Sequence, residues 1–232
     1  MVTSKQENVL LVDMYPVVRL GLKQMIDKEV DLRVCGEADS VETGFAALES
    51  LKPDVVILDL ALKGASGIEL IKRIKQHYSL IPVLVFSLSH ESLYAERSLR
   101  AGARGYLMKS ASGEEIITAI RTLLSQEIYV SGPMGSRMLS KFVEGRPATS
   151  SPIDRLSNRE LEVFQLIGQG LGTRQIAEKL HLSIKTIESY RAHIKDKLNL
   201  GSAMELVHHA IHWQESHESR EDAVPESEAS SK

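Results

Sequence analysis

A single cysteine, Cys35, among 232 residues leaves no partner for a disulfide within the chain and no set of thiolates for a metal site. Lying in the apolar run Leu32-Arg-Val-Cys35, it reads as a buried structural thiol. Long hydrophobic stretches are missing as well: none approaches the ~18 uninterrupted apolar residues of a membrane span. The start, Met1-Val-Thr-Ser-Lys-Gln-Glu-Asn8, passes into Val9 without the core of a signal peptide. A cytoplasmic protein without membrane contact is expected. Charge of neither sign dominates, with 28 Lys and Arg against 31 Asp and Glu and a net charge of −3. This argues against a strongly basic coat for nucleic acid, but not against local patches. No internal repeat is evident. A glycine-rich phosphate loop is absent too, because the chain after its first apolar run reads Asp13-Met-Tyr-Pro16, which removes a dinucleotide-binding fold. What is present is 43% apolar residues, enough for one or two globular domains.

From residue 8 to 125 short apolar runs alternate with segments of helical period. The runs are Val9-Leu-Leu-Val12, Leu32-Arg-Val-Cys35, Val55-Val-Ile-Leu58, Ile81-Pro-Val-Leu-Val-Phe86 and Gly105-Tyr-Leu-Met108. Pro16 to Lys28, Ser40 to Leu51, Gly67 to His77, Glu91 to Arg100 and Glu114 to Leu124 carry apolar residues at helical spacing. Five such alternations predict an α/β fold, a five-stranded doubly wound parallel sheet with helices on both faces. Functional groups then collect at the carboxyl ends of the strands, here Asp13, Asp59, Ser87 and Lys109. Residues 126–152 change character, with a short helical pattern from Ser136 to Val143 before Gly145-Arg-Pro-Ala-Thr-Ser-Ser-Pro152, and read as a linker. Residues 153–215 predict an all-α unit of four helices, opened by the capping box Ser157-Asn-Arg-Glu160. Residues 216–232, charged and serine-rich, predict a disordered tail that holds the whole net charge.

Asp13 and Asp59 end neighbouring strands, so their carboxylates should share a pocket with Lys109 and Ser87. Such a group suits phosphoryl chemistry, in which one carboxylate attacks phosphorus while a cation and a hydroxyl offset the transferred charge. Structural pairing of carboxylates with a lysine would place the same residues together. Residues 8–125 resemble the receiver domain of two-component response regulators, through Leu10-Leu-Val-Asp-Met-Tyr-Pro16, Pro53-Asp-Val-Val-Ile-Leu-Asp59, Gly64-Ala-Ser-Gly67, Ser87 and Ala101-Gly-Ala-Arg-Gly-Tyr-Leu-Met-Lys109. The resemblance implies a flavodoxin-like fold and a phosphoryl group received on Asp59 from a sensor histidine kinase. It also implies that Lys109 binds the phosphate and that Ser87 and Tyr106 change position afterwards. Receivers usually carry two consecutive acidic residues after the first strand, which hold Mg²⁺ together with the phosphoacceptor. This chain has Asp13-Met14, and a thioether is a soft, poor ligand for that hard ion. A metal site formed by Asp13 and Asp59 is therefore expected to bind Mg²⁺ weakly, unless Met14 merely packs and backbone carbonyls and water complete the shell. Lys63, where the family commonly has proline, adds a positive charge that either assists the pocket or is solvated.

In the second unit Ile187, Tyr190, Ile194 and Leu198 form one apolar stripe, and Lys185, Ser189, Ala192 and Asp196 face the other way. A short helix, a tight turn and a helix with a small, polar outer face describe a helix-turn-helix, although many helical bundles share that pattern. Residues 155–214 resemble the LuxR-type DNA-binding domain through Leu156-Ser-Asn-Arg-Glu-Leu-Glu-Val163, Gln175-Ile-Ala-Glu-Lys-Leu180 and Ser183-Ile-Lys-Thr-Ile-Glu-Ser-Tyr-Arg-Ala-His-Ile-Lys-Asp-Lys-Leu198. With a receiver in front, the arrangement is that of NarL/FixJ response regulators. It implies double-stranded DNA bound by a homodimer, with the fourth helix contributing to pairing. Lys185, Arg191 and Lys195, with Thr173 and Arg174 at a helix start, are candidates for phosphate contacts. Glu188, Ser189 and Ala192 are candidates for reading bases, Glu188 through a cytosine amino group and Ala192 through a thymine methyl.

His208, His209 and His212 lack the HExxH pattern of a zinc site and are assigned to a polar or dimer-facing surface. Met204, His208 and Ile211 fall on one side of the last helix, and Leu206, Val207 and Ala210 on the core side. The leading expectation is a non-enzymatic transcription regulator whose receiver controls dimerisation and promoter binding. The alternative keeps the DNA-binding output and makes the receiver a phosphorylation-independent interaction module. A hydrolase using Asp59 as nucleophile is disfavoured, because Ala61 stands where a second acid-base residue would be wanted.

Overall fold

A computed structural model describes residues 6–63, 66–143 and 152–221, with side chains as far as 216. The chain divides into two compact units, Met1–Arg146 and Pro147–Lys232. In the first, strands β1 (Glu7–Val12), β2 (Leu32–Ala38), β3 (Val55–Leu58), β4 (Val83–Ser87) and β5 (Gly105–Met108) form one parallel sheet in the order β2-β1-β3-β4-β5. Helices α1 (Pro16–Ile26), α2 (Val41–Leu51), α3 (Gly67–His77), α4 (Glu91–Ala101) and α5 (Gly113–Leu124) connect and follow them. Alternate side chains of each strand point to opposite faces. Val9, Leu11, Val55, Ile57, Leu84, Phe86 and Leu107 pack in one cluster with Leu22 and Ile26 of α1 and Ile116, Ile120 and Leu123 of α5.

Local sequence explains where these helices start. Pro16 opens α1, where its missing N–H has no intrahelical partner to lose. Ser40 caps α2 with Thr43 reciprocating, and Ser112 and Glu115 make the same capping box for α5. Cys35 departs from the expectation of a fully buried thiol. It lies on the edge strand β2 and is only half-buried, and that burial raises its pKa.

The segment after α5, expected as a linker with a short helix, carries a strand bridge and a helix. Tyr129 adds a bridge to the free edge of β5: its N–H donates to Arg104 O at 3.0 Å, and the Tyr106 N–H donates to its carbonyl at 2.9 Å. Helix α6 (Gly132–Val143) follows, four residues earlier than the helical pattern at Ser136 suggests. The reason is local: Ser131 Oγ accepts from Met134 N at 3.2 Å, and Pro133 is tolerated within a first turn. Residues 144–151 of the expected linker lie outside the described residues.

The second unit opens with a short 3-10 turn, Pro152–Arg155, followed by α7 (Asn158–Gly168), α8 (Thr173–Leu180), α9 (Ile184–Leu198) and α10 (Ala203–Glu221). Its core contains Leu161, Phe164, Ile176, Ile187, Ile194, Leu206 and Ala210, all essentially inaccessible. His181 and Asn199 adopt left-handed backbone at φ 53° and 54° and end α8 and α9. Helix α10 continues past residue 216, where a tail was expected to begin, as far as Glu221. Residues 222–232 lie outside the described residues.

Candidate phosphoryl site and candidate DNA-reading face

Asp13 and Asp59 each follow the last residue of a strand. Because Val12 of β1 is in register with Leu58 of β3, the two carboxylates emerge side by side. Both residues are only 3% exposed. Lys109, just beyond β5, places its Nζ 2.5 Å from Asp13 Oδ2 and 2.7 Å from Asp59 Oδ2. The remaining oxygens are also engaged: Tyr15 N donates to Asp13 Oδ1 at 2.8 Å, and Ser87 Oγ donates to Asp59 Oδ1 at 2.6 Å. The Tyr15 ring lies over the ammonium, with Nζ 5.4 Å from its centroid. Burial holds the Asp13 carboxyl above its ordinary pKa; the Lys109 and Tyr15 hydrogen bonds oppose this, and the nearby Asp59 charge reinforces it. Burial alone would lower the pKa of Lys109, but the two carboxylates outweigh it and raise the value.

Tyr106 is wholly buried and its hydroxyl donates to Ser89 O at 2.6 Å; burial holds that phenol protonated. Two supports were not legible in the sequence. Arg19 of α1 donates to the backbone carbonyl of Asp13 at 2.6 Å while pairing with Glu37 at 2.9 Å. Gly67, the first residue of α3, lies so close to the backbone carbonyl of Asp59 that a Cβ would come within 2.2 Å of it. Lys63 is engaged with Asp39 at 2.5 Å and does not join Lys109 on the carboxylates.

Asp13 and Asp59 are the carboxylates of this pocket that could hold a magnesium ion. Two carboxylates are present with every oxygen already accepting a hydrogen bond, and the next side chain is the half-buried thioether of Met14. Among the described residues no three His, Cys, Asp or Glu side chains are grouped to hold a metal.

In the second unit Ser183 caps α9 through Thr186 N at 3.0 Å, and the apolar stripe turns inward: Ile187 and Ile194 are inaccessible, Tyr190 and Leu198 half-buried. Lys185, Glu188, Ser189 and Ala192 are exposed on the opposite side. Arg191 and Lys195 are half-buried on one flank, and desolvation lowers the Arg191 pKa. Thr173 and Arg174 begin α8, Arg174 being exposed with Glu178 at 3.6 Å.

The other flank of α9 is tied to α7. Glu160 accepts from Ser157 N at 2.6 Å as the capping box requires, and the same oxygen takes Lys197 Nζ at 2.6 Å. These bonds outweigh burial and lower the Glu160 pKa. Lys197 is thus engaged, which the sequence pattern does not reveal. On α10, Leu206 and Ala210 are buried and Val207 half-buried, with Met204 and His208 exposed. His209 and Trp213 turn to the Phe164 ring, at 5.9 and 5.5 Å between centroids, so these two are packing groups as well as surface ones.

Residues 9–121 match the response regulator receiver domain, and residues 154–210 match the luxR family of bacterial regulatory proteins. The oxygen regulatory protein NreC of Staphylococcus epidermidis is 35% identical over 210 residues, covering 88% of this chain and 96% of that protein. RcsB of Salmonella enterica serovar Typhimurium, solved bound to promoter DNA in the presence of a phosphomimetic, is 27% identical with a TM-score of 0.59, covering 89% of this chain and 98% of that one. A LuxR-family two-component response regulator from Aurantimonas is 29% identical with a TM-score of 0.56, covering 60% of this chain and 99% of that one. No helix among the described residues is long and apolar enough to cross a membrane. The chain belongs to the two-component response regulators of the NarL type, non-enzymatic DNA-binding transcription regulators in which a receiver domain precedes a LuxR-type helix-turn-helix domain.

Proposed function

We propose that the receiver takes a phosphoryl group on Asp59 from a sensor histidine kinase, with a depleted metal site, and thereby controls dimerisation and promoter binding by the second domain. The observation that carries this reading is the convergence of Asp13, Asp59, Ser87 and Lys109 in one buried pocket. In the transfer an Asp59 oxygen forms the new bond to phosphorus as the bond to the kinase imidazole breaks. Lys109 offsets the incoming charge and Ser87 is within reach of it. Asp13, Asp59 and Lys109 leave the pocket at −1, one charge short of what balances a divalent ion. Met14→Asp should therefore strengthen Mg²⁺ binding by about tenfold or more, read by titration of the full chain. Equal affinity in wild type and variant would show that Met14 is not what limits the metal.

The DNA half of the proposal assigns Lys185, Arg191, Lys195, Thr173 and Arg174 to phosphates and Glu188, Ser189 and Ala192 to base edges. It is supported by the exposed outer face of α9 and by the structure of two RcsB dimers bound to two parallel DNAs. With few cations available, affinity should depend on pairing two domains, and the exposed face of α10 with Met204 and His208 is the candidate contact. Lys185→Ala should weaken operator binding by about 1 kcal/mol and reduce the salt dependence, measured by footprinting at two salt concentrations. Unchanged affinity would remove Lys185 from the interface.

The alternative, a receiver that acts as an interaction module without phosphorylation, is favoured by one feature: the carboxylate oxygens are all satisfied by the chain's own donors. Acetyl phosphate separates the two readings. Labelling of Asp59 supports the first, and its absence even in Met14→Asp supports the second.

A further inference from the structure

We propose that residues 129–143 are a docked output element of the receiver, whose attachment to β5 and α4 depends on the hydrogen-bond state of Ser87 and Tyr106. Two connections run from the pocket to this segment, one through hydrogen bonds and one through the chain from Ser89 to Glu91.

The first passes through Tyr106. Ser87 Oγ donates to Asp59 at 2.6 Å and accepts from Ser89 N at 3.3 Å, and Ser89 O accepts from the Tyr106 hydroxyl at 2.6 Å. The backbone N–H of that same tyrosine donates to Tyr129 O at 2.9 Å. One residue therefore bonds the β4–α4 loop with its side chain and the added strand with its backbone. The second connection passes through α4. Two residues beyond Ser89, the Glu91 carboxylate accepts both the N–H and the hydroxyl of Ser131, at 3.0 and 2.5 Å. Ser131 in turn caps α6 through Met134 N, and Met134 is buried at 5% exposure. Further along, Glu96 of α4 accepts from Lys141 near the end of α6 at 2.6 Å.

This geometry makes α6 sensitive to a small movement. The Glu91–Ser131 pair joins the first turn of α4 to the cap of α6, and hydrogen bonds weaken steeply once they lengthen by about half an ångström. A rearrangement of Ser87 and Ser89 around a new group on Asp59 would shift that first turn and loosen the α6 cap. Leu139, Phe142 and Val143, exposed at 68%, 85% and 81%, show that most of the apolar surface of α6 is not buried in its docking site, so the attachment rests on these polar ties. In sequence α6 immediately precedes the segment leading to the DNA-binding domain. The direction of the signal rests on the pocket being the receiving end; the coupling of Tyr106 to α6 does not.

Hydrogen exchange on the full chain, without any phosphoryl donor, tests the coupling. Glu91→Ala should raise exchange of the α6 amides about fivefold, and Tyr106→Phe, which removes only the hydroxyl bonded to Ser89 O, should raise it in the same direction, with α1 and α2 unchanged in both. If Glu91→Ala acts and Tyr106→Phe does not, α6 is merely docked and the proposal fails; it fails equally if neither acts. Loss of protection throughout the receiver would trace the effect to general instability and also overturn it. Adding acetyl phosphate in a separate arm tests the phosphorylation reading alone, because labelling of Asp59 can fail while the variant effects persist.

Discussion

Replacing Lys109 by methionine is expected to destabilise the receiver by about 3–5 kcal/mol at neutral pH, the range found when one partner of a buried ion pair is removed. The ammonium is the only cation within bonding distance of both Asp13 and Asp59 among the described residues, and both carboxylates are almost inaccessible to water. Methionine keeps the unbranched stem, so the loss is mainly electrostatic. Its pH dependence follows from the Asp13 shift. Asp13 already has a raised folded-state pKa, and removing Lys109 deletes the largest influence holding it down. A carboxyl whose folded pKa exceeds its unfolded value contributes stability below the unfolded pKa, and that contribution is lost as pH rises through the folded value. The deficit of the variant should thus be largest at pH 7–8 and shrink on acidification. Denaturant unfolding followed by circular dichroism at pH 8 and pH 5 measures it. Trp213 packs on Phe164 in the DNA-binding domain, so its fluorescence reports the other unit and serves as an internal control. Equal losses at both pH values would rule out the electrostatic account.

Gly67→Ala is expected to cost about 1–3 kcal/mol, as overpacking of a tight interior does, and to impair phosphoryl uptake on Asp59. The added methyl group would stand 2.2 Å from Asp59 O and 2.8 Å from Leu60 Cα. Both are backbone atoms, so no side-chain rotation relieves the contact. Either α3 retreats, breaking the Gly67 N to Leu60 O bond of 2.8 Å, or Asp59 itself moves. Gly21→Ala provides the contrast. Gly21 lies within α1 with nothing inside 4 Å of its would-be Cβ, and there alanine should stabilise by about 0.4–1 kcal/mol. Equilibrium unfolding of both variants, with acetyl phosphate labelling, gives the comparison; a neutral Gly67→Ala would mean that the approach to Asp59 is slack.

Much of this was legible along the chain because it depends on local periodicity and local capping. The pattern Gly67 to His77 is the observed α3. Ser157 and Glu160 form the capping box that their spacing suggests, and Ile187 and Ile194 are buried as the stripe on α9 requires. The pocket was legible for a related reason. A parallel sheet gathers its strand ends, so Asp13, Asp59, Ser87 and Lys109 are located once the strands are.

Residues whose partners come from distant parts of the chain were not legible. Lys63 takes Asp39, Lys197 takes Glu160, and Arg19 spans Asp13 and Glu37, because long cationic side chains settle on whichever carboxylate or carbonyl the fold brings near. The segment after α5 carries too little apolar periodicity to announce a strand bridge at Tyr129. That pairing exists because β5 is an edge strand with free backbone groups.

The sequence by itself determined most of the elements, the order of receiver and DNA-binding domain, and the gathering of Asp13, Asp59, Ser87 and Lys109 at the strand ends, since each follows from spacing, capping or residue chemistry. Only the tertiary structure decided how the carboxylate oxygens are satisfied, how closely Gly67 approaches Asp59 and that α6 is held to α4. Hydrogen bonds and contacts across dozens of residues are set by geometry that no local pattern encodes.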